Sequence, residues 1–399
     1  MEEVTINPDA VEFESNDEDD ISASYERDKI ADVAVSASDW TTDTIISQLE
    51  RTNIFLKPQF QRRDAWTIER KSLFIESLVL GFPIPQIVLA EKKGERGKYL
   101  VLDGKQRLLT LLQFVGSAEG HNNAFRLKNL QVAEELEGRS YLELSTDPTF
   151  NNQFTSFTNQ TIRAVVLRNW PDITFLHLVF LRLNTGSVKL SPQELRQAMF
   201  PGDFSDFLDE YAVGSAPLKI LLRLQEPDFR MRDVELLLRY VSFKNFIPEY
   251  KGDMKQFLDN TCCCLNRDWN EQRANVSAQL VEFDNAIAAS IEIFGIDNVG
   301  RRPAEAGGRR PFNKAIFDIL AFYFSVPEIR SKSIERKSDI IRVFDELWRD
   351  DKDFIRSVEV TTKSLQSTFK RLSAWGLKLS SVIETPVEVP RLENNRITF

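Results

Sequence analysis

The spacing of apolar positions divides this chain into two regimes. Between about residues 37 and 170, short apolar runs are interleaved with helical spacings, and from residue 171 onward the spacing is helical almost throughout. In the first regime, Leu108, Leu111, Leu112 and Val115 recur at i, i+3, i+4 and i+7, which predicts a helix burying one face. The preceding run, Tyr99 to Leu102, has strand character, so a strand passes into a helix across Asp103 and Gly104. Residues 42–51 read as a short amphipathic helix. Thr67 caps a helix over 68–80 that Gly81, Pro83 and Pro85 terminate. Residues 86–91 and 98–102 flank the turn-forming GERG and pair as a hairpin, and 161–167 form a further strand. Residues 117–160, rich in Asn, Gly, Thr and Ser, predict little.

In the second regime, Ser191 and Glu194 bracket Pro192 as a capping box, which accounts for Glu194 without chemistry. Helices follow over 204–212, 231–244, 254–265, 274–294, 314–324, 334–349 and 362–377. The expected organisation is an acidic disordered tail over 1–36, an α/β domain over 37–170, an all-α domain over 171–380 and a C-terminal tail over 381–399. The fold class is α+β.

Charge sharpens the view of the N-terminus. The chain has 51 Lys and Arg against 60 Asp and Glu, a net charge of -9. Residues 1–20 hold acidic side chains at 2, 3, 9, 12, 14, 17, 18, 19 and 20 and no basic one, which accounts for the whole imbalance. Such a like-charged leader cannot bury enough apolar surface to order itself. The balance of the rest argues against coating of nucleic acid by a uniformly basic surface. No run approaches the roughly 18 apolar residues of a membrane span, and no signal-peptide layout opens the chain, so a cytoplasmic protein is expected. Three consecutive cysteines, Cys262, Cys263 and Cys264, and two histidines, His121 and His177, do not supply the usual zinc ligand spacing.

The turn at Asp103 carries the chemistry. A strand-to-helix junction leaves helical N–H groups unpaired at the positive end of the helix dipole, where a phosphate or carboxylate can sit. Two readings compete there. Asp103 capping the helix, with Gln106 reaching back, is a structural box. Lys105 and Arg107 in the first turn instead oppose the dipole by some tenths of a kcal/mol unless an anion binds. A second polar cluster, P-Q-F-Q-R at 58–62, precedes the 68–80 helix. A loop at 300–311 carries Arg301, Arg302, Arg309 and Arg310, a set that is either solvated or turned toward nucleic acid or an acidic partner.

The pairing of P-Q-F-Q-R with D-G-K-Q-R, together with FPIPQIVL between them and FLRLNTGSVKLSPQELRQAMF at 180–200, resembles the GmrSD restriction endonuclease N-terminal domain family, a ParB and sulfiredoxin-like group. The likeness runs over about residues 50–245. It implies a ParB/sulfiredoxin-like α/β N-terminal domain that binds a nucleoside triphosphate, followed by a helical domain. It also implies a role as sensor or regulator in a DNA restriction or anti-phage defence system, with DNA and a separate nuclease or other defence protein as partners and no membrane. By the resemblance, Gln61, Asp103 and Arg107 are the catalytic candidates. Arg62, Gly104 and Gln106 match the family as binding candidates, and Asn184 and Thr185 lie in its N-x-G stretch, which is also an ordinary turn. The chemistry of the residues adds Lys105, Trp66, which either stacks on a base or packs in the core, and Asp103, which either holds Mg2+ or orients water, or else caps the helix. Where family members commonly have Gln inside the second motif, this chain has Lys105. Larger members carry a His-Asn-His type nuclease domain for which this chain has too few histidines, so nuclease activity is not expected from it alone. Arginines, a lysine and helix N–H groups suit phosphoryl transfer, which depends on positioning and on neutralising phosphate charge. The alternative is a non-enzymatic DNA- or protein-binding module that keeps a ParB-like fold.

Overall fold

The computed structural model describes residues 11, 13, 32–56, 66–116, 124–172, 175–176, 179, 182–183, 191–303, 310–360 and 362–399. Two compact units divide the chain, one built on Ser22–Ser191 and the other on Pro192–Phe399, with Val11 and Phe13 grouped with the second.

The first unit runs β1 (Ala34–Thr41), α1 (Thr42–Glu50), β2 (Ile54–Phe55), α2 (Ile68–Val79), β3 (Ile87–Glu91), β4 (Tyr99–Asp103), α3 (Lys105–Val115), α4 (Tyr141–Thr146), α5 (Asn151–Asn159) and β5 (Thr161–Arg168). Its five strands form one mixed sheet in the order β1-β5-β3-β4-β2. β3 pairs antiparallel with β4 as the GERG turn predicts, and parallel with β5, while β1 adds antiparallel to the outer side of β5. Thr67 caps α2 by accepting from the Arg70 N–H, and Gly81 follows its end at φ 72°, the left-handed stop expected of it. Ile45, Leu49, Ile75, Leu78, Leu108, Leu111 and Phe114 from α1, α2 and α3 pack with Ile87, Leu89, Ile162 and Ala164 of the strands into one apolar core.

β1 differs from expectation. Its sequence, AVSASDWT, shows no apolar alternation because it lies at the sheet edge with six of its eight residues exposed, so there is no buried face to write into the pattern. α4 and α5 also lie in the stretch that predicted little. Short helices there are fixed by caps rather than by an apolar stripe: Ser140 and Glu143 form a capping box on α4, and Asp147 accepts from the Thr149 N–H.

The connection from 126 to 138 is held by a carboxylate. Glu76, buried on α2, accepts from the N–H groups of Gln131 (3.0 Å), Val132 (2.7 Å) and Ala133 (2.8 Å). Three successive N–H groups converging on one anion form a backbone nest in reverse, built around a side chain of the protein itself.

The second unit is helical: α6 (Pro192–Met199), α7 (Asp203–Gly214), α8 (Ala216–Leu222), α9 (Arg232–Phe246), α10 (Met254–Arg267), α11 (Trp269–Phe294), α12 (Lys314–Phe324), α13 (Pro327–Glu335), α14 (Lys337–Asp350), α15 (Lys352–Glu359) and α16 (Leu365–Ile383). α6 starts at Pro192, where the proline signal puts it. The helix expected over 334–349 begins at Lys337, and a separate helix precedes it from Pro327 to Glu335. The segment expected as a C-terminal tail holds a hairpin, β6 (Arg391–Glu393) against β7 (Arg396–Thr398), with Ile397 fully buried; its strands are too short to give a period. The acidic leader falls outside the described residues except at Val11, which is buried, and Phe13, whose ring lies 5.0 Å from that of Phe312.

A buried ionic network joins α9 to α12. Arg239 donates to both oxygens of Asp318 (3.0 and 2.5 Å), and Lys314 donates to Glu235 at 2.5 Å. Pairing of this kind is what allows four charged side chains to lie in a core. Arg301, one of the loop arginines, is likewise structural. It is buried, and its guanidinium donates to the carbonyls of Arg310, Ile296, Asp297 and Val299. Arg302 pairs with Glu359. Arg309 lies outside the described residues.

Candidate functional site

β4 delivers Asp103 to the mouth of the turn and α3 begins two residues later. The residue between them adopts φ 93° and ψ 12°, the left-handed conformation that glycine reaches without strain. A Cβ on Gly104 would stand 2.7 Å from Ile87 Cγ2 and 3.3 Å from Arg107 Nη2, so both the dihedral angle and the space require glycine. Gly104 is itself the helix N-cap, and no side-chain hydrogen bond caps the helix. The structural reading of D-G-K-Q as a capping box is therefore corrected. With glycine in the cap position, the Asp103 carboxylate makes no capping hydrogen bond to the helix.

Asp103 instead accepts from Arg107 Nη2 at 3.0 Å, and the same nitrogen donates to the Gln86 carbonyl at 3.0 Å. Arg107 is thereby fixed across the β3–β4 pair and the start of α3. Its Nε is buried and has no hydrogen-bond partner among the described residues, and neither has the buried Oε1 of Gln106. Lys105 is buried at 7% exposure, in a helical turn where a cation opposes the dipole. The turn thus gathers Asp103, Gly104, Lys105, Gln106 and Arg107 at the uncapped N-terminus of an 11-residue helix. Chemically, that is a place where a partly buried cation, a guanidinium and helical N–H groups can meet an anion.

Trp66 packs against the core of the first unit. Its ring meets Phe74 edge-on at 5.8 Å, and the Arg70 guanidinium lies over it at 4.9 Å. Gln61, Arg62, Asn184 and Thr185 lie outside the described residues, as does His177. Among the described residues no group of three or more His, Cys, Asp or Glu side chains could hold a metal ion. Asp103 offers one carboxylate, which fits Mg2+ bound chiefly through phosphate oxygens and water rather than in an all-protein cage.

Two residues outside the motif complete the geometry. Gln86 supplies a carbonyl to Arg107, and Ile87 supplies the wall against Gly104. Neither was identified from sequence. Gln86 acts through its backbone carbonyl and Ile87 through its bulk, and a hydrophobic pattern carries no signal for either role.

The first unit is thus an α+β domain whose polar motif sits at a strand-to-helix turn. Residues 43–201 match the family model of the GmrSD restriction endonuclease, N-terminal domain. The match spans α1 through α6, including the turn. Neither the curated proteins nor the solved structures gave a match to the chain. Among the described residues no helix is long and apolar enough to cross a membrane.

Proposed function

We propose that the first unit binds a nucleoside triphosphate at the β4–α3 turn, with Mg2+, and hydrolyses it slowly. The second unit then conveys the nucleotide state to DNA or to a defence-system partner. The observation that carries this reading is the combination at one turn of a glycine-only backbone, a helix end with no side-chain cap, and the cations Lys105 and Arg107. Phosphate oxygens would take the helix N–H groups and the lysine. Arg107, held by Asp103 and the Gln86 carbonyl, would meet charge on the transferred phosphoryl group. Asp103 would hold Mg2+ together with phosphate oxygens, and Mg2+ would neutralise charge on the triphosphate. Gln61 would orient the attacking water, Arg62 would contact the nucleotide, and Asn184 and Thr185 would complete the pocket, while Trp66 keeps its place against the core. Cleavage of DNA is assigned to a separate nuclease, since the chain has only His121 and His177.

One observation favours a second reading, a non-enzymatic DNA- or protein-binding module. The bonds of Arg107 to Asp103 and to Gln86 also tie β3, β4 and α3 together, a structural role that needs no ligand. Titration calorimetry with each of the four ribonucleoside triphosphates and Mg2+, on the parent and on Arg107→Ala, separates the two. Binding that the folded variant loses supports the first reading. No binding by the parent, with DNA or partner binding kept in the variant, supports the second.

A further inference from the structure

Among the described residues, nothing pairs with the outer edge of the sheet in the first unit. β1 is an end strand, eight residues long, and Ala34 through Asp39 are all exposed on both faces. Among the described residues only β5 pairs with it, so its other side presents backbone N–H and C=O groups that no described strand takes up. Proteins usually blunt such an edge with lysines, proline, a bulge or a very short strand. β1 has none of these. It contains no Lys, Arg or Pro, its register against β5 is unbroken over all eight positions, and its single charge is Asp39. The edge at the opposite side of the sheet, β2, is only two residues long.

We propose that β1 pairs antiparallel with β1 of a second copy of this chain, joining two five-stranded sheets into one of about ten strands, near the usual limit for an open sheet. The sequence of the strand argues for a copy of itself as the occupant. A two-fold axis through Ala37 sets Ala37 against Ala37, Ser36 against Ser38 and Ala34 against Trp40. Asp39 falls opposite Val35, so no like charges face each other across the pair. The small side chains at 36, 37 and 38 let the two backbones approach without collision, and the Ser38 hydroxyl is already held by the Trp40 indole N–H at 2.8 Å. A symmetric closed pair also removes both open edges at once.

The test is the mass of the full chain by light scattering after size exclusion, over a range of concentration. The parent is expected to move toward twice 46.0 kDa as concentration rises. Ala37→Lys and Ala37→Glu each place like charges opposite each other across the axis, and each is expected to remain at 46.0 kDa at the concentration where the parent has doubled. An equimolar mixture of the two is expected to recover the doubled mass, which a misfolded variant would not do. A parent that stays at 46.0 kDa at its highest soluble concentration overturns the proposal and leaves the edge for a strand of another protein. A doubled mass in both single variants, or no recovery in the mixture, overturns the pairing through Ala37.

Discussion

Replacing Gly104 by alanine isolates what the turn demands of its backbone. At φ 93° an L-residue is held in left-handed territory at a cost of about 1–2 kcal/mol. The added Cβ would lie 2.7 Å from Ile87 Cγ2. Because Ile87 is fully buried in the core, it cannot swing into solvent, and overpacking of this kind costs about 1–3 kcal/mol. Alanine also lowers the entropy of the unfolded chain, offsetting about 0.4–1 kcal/mol. The net expectation is a loss of about 2–4 kcal/mol, of which the steric part belongs to the Ile87 contact. Urea unfolding followed by far-UV circular dichroism measures the loss. Repeating the substitution in an Ile87→Ala background, where Cγ2 is gone, should shrink the penalty to the backbone cost of about 1–2 kcal/mol. A loss below about 0.5 kcal/mol for Gly104→Ala, or an unchanged penalty in the Ile87→Ala background, would refute the assignment of this glycine to the turn geometry.

Other parts of the structure yield their own tests. Glu76→Ala leaves the N–H groups of Gln131, Val132 and Ala133 without their carboxylate and should cost about 2–4 kcal/mol, with hydrogen exchange accelerated first across 126–138. Asp318→Ala removes the carboxylate that takes two hydrogen bonds from the buried Arg239 guanidinium, leaving Glu235 at 3.9 Å, and should cost about 3–5 kcal/mol in thermal unfolding, whereas Asp39→Ala, whose pair with Arg163 is exposed, should change stability by less than about 1 kcal/mol. The Ser140 N–H and the Arg126 guanidinium lower the Glu143 carboxyl to about 2. A depressed carboxylate contributes stability above its unfolded value near 4.3 and loses it as the pH falls toward about 2, so a carboxyl NMR titration should find Glu143 still ionised at pH 3.5, with α4 loosening only below that.

Much of the first unit was legible because its elements carry their own punctuation. Thr67 and Gly81 bound α2, the two glycines of GERG set the β3–β4 hairpin, and the i, i+3, i+4, i+7 leucines define α3. β1 was not legible, since an edge strand exposed on both faces writes no alternation into its sequence. The residues of the turn are neighbours in the sequence and stand out there as a group, but the geometry between them was not legible. Asp103 has the side chain of a good cap, and only the left-handed backbone at Gly104 and the Gln86 carbonyl explain why it faces Arg107 instead. The arginines at 301 and 302 illustrate the converse. Their charge suggested a solvated or nucleic-acid-facing loop, yet Arg301 is spent on four carbonyls and Arg302 on Glu359, contacts between residues that no local pattern relates.

Nucleoside triphosphate binding at the turn from Asp103 to Arg107 is open to a direct test. Calorimetric titration of the parent with ATP, GTP, CTP and UTP in Mg2+, beside Arg107→Ala shown to be folded by circular dichroism, tests it most directly. Saturable binding of at least one nucleotide by the parent is expected, with a loss of at least about tenfold in affinity in the variant, the equivalent of about 1.4 kcal/mol. Absence of binding of all four to the parent, or equal affinity in the variant, would contradict it.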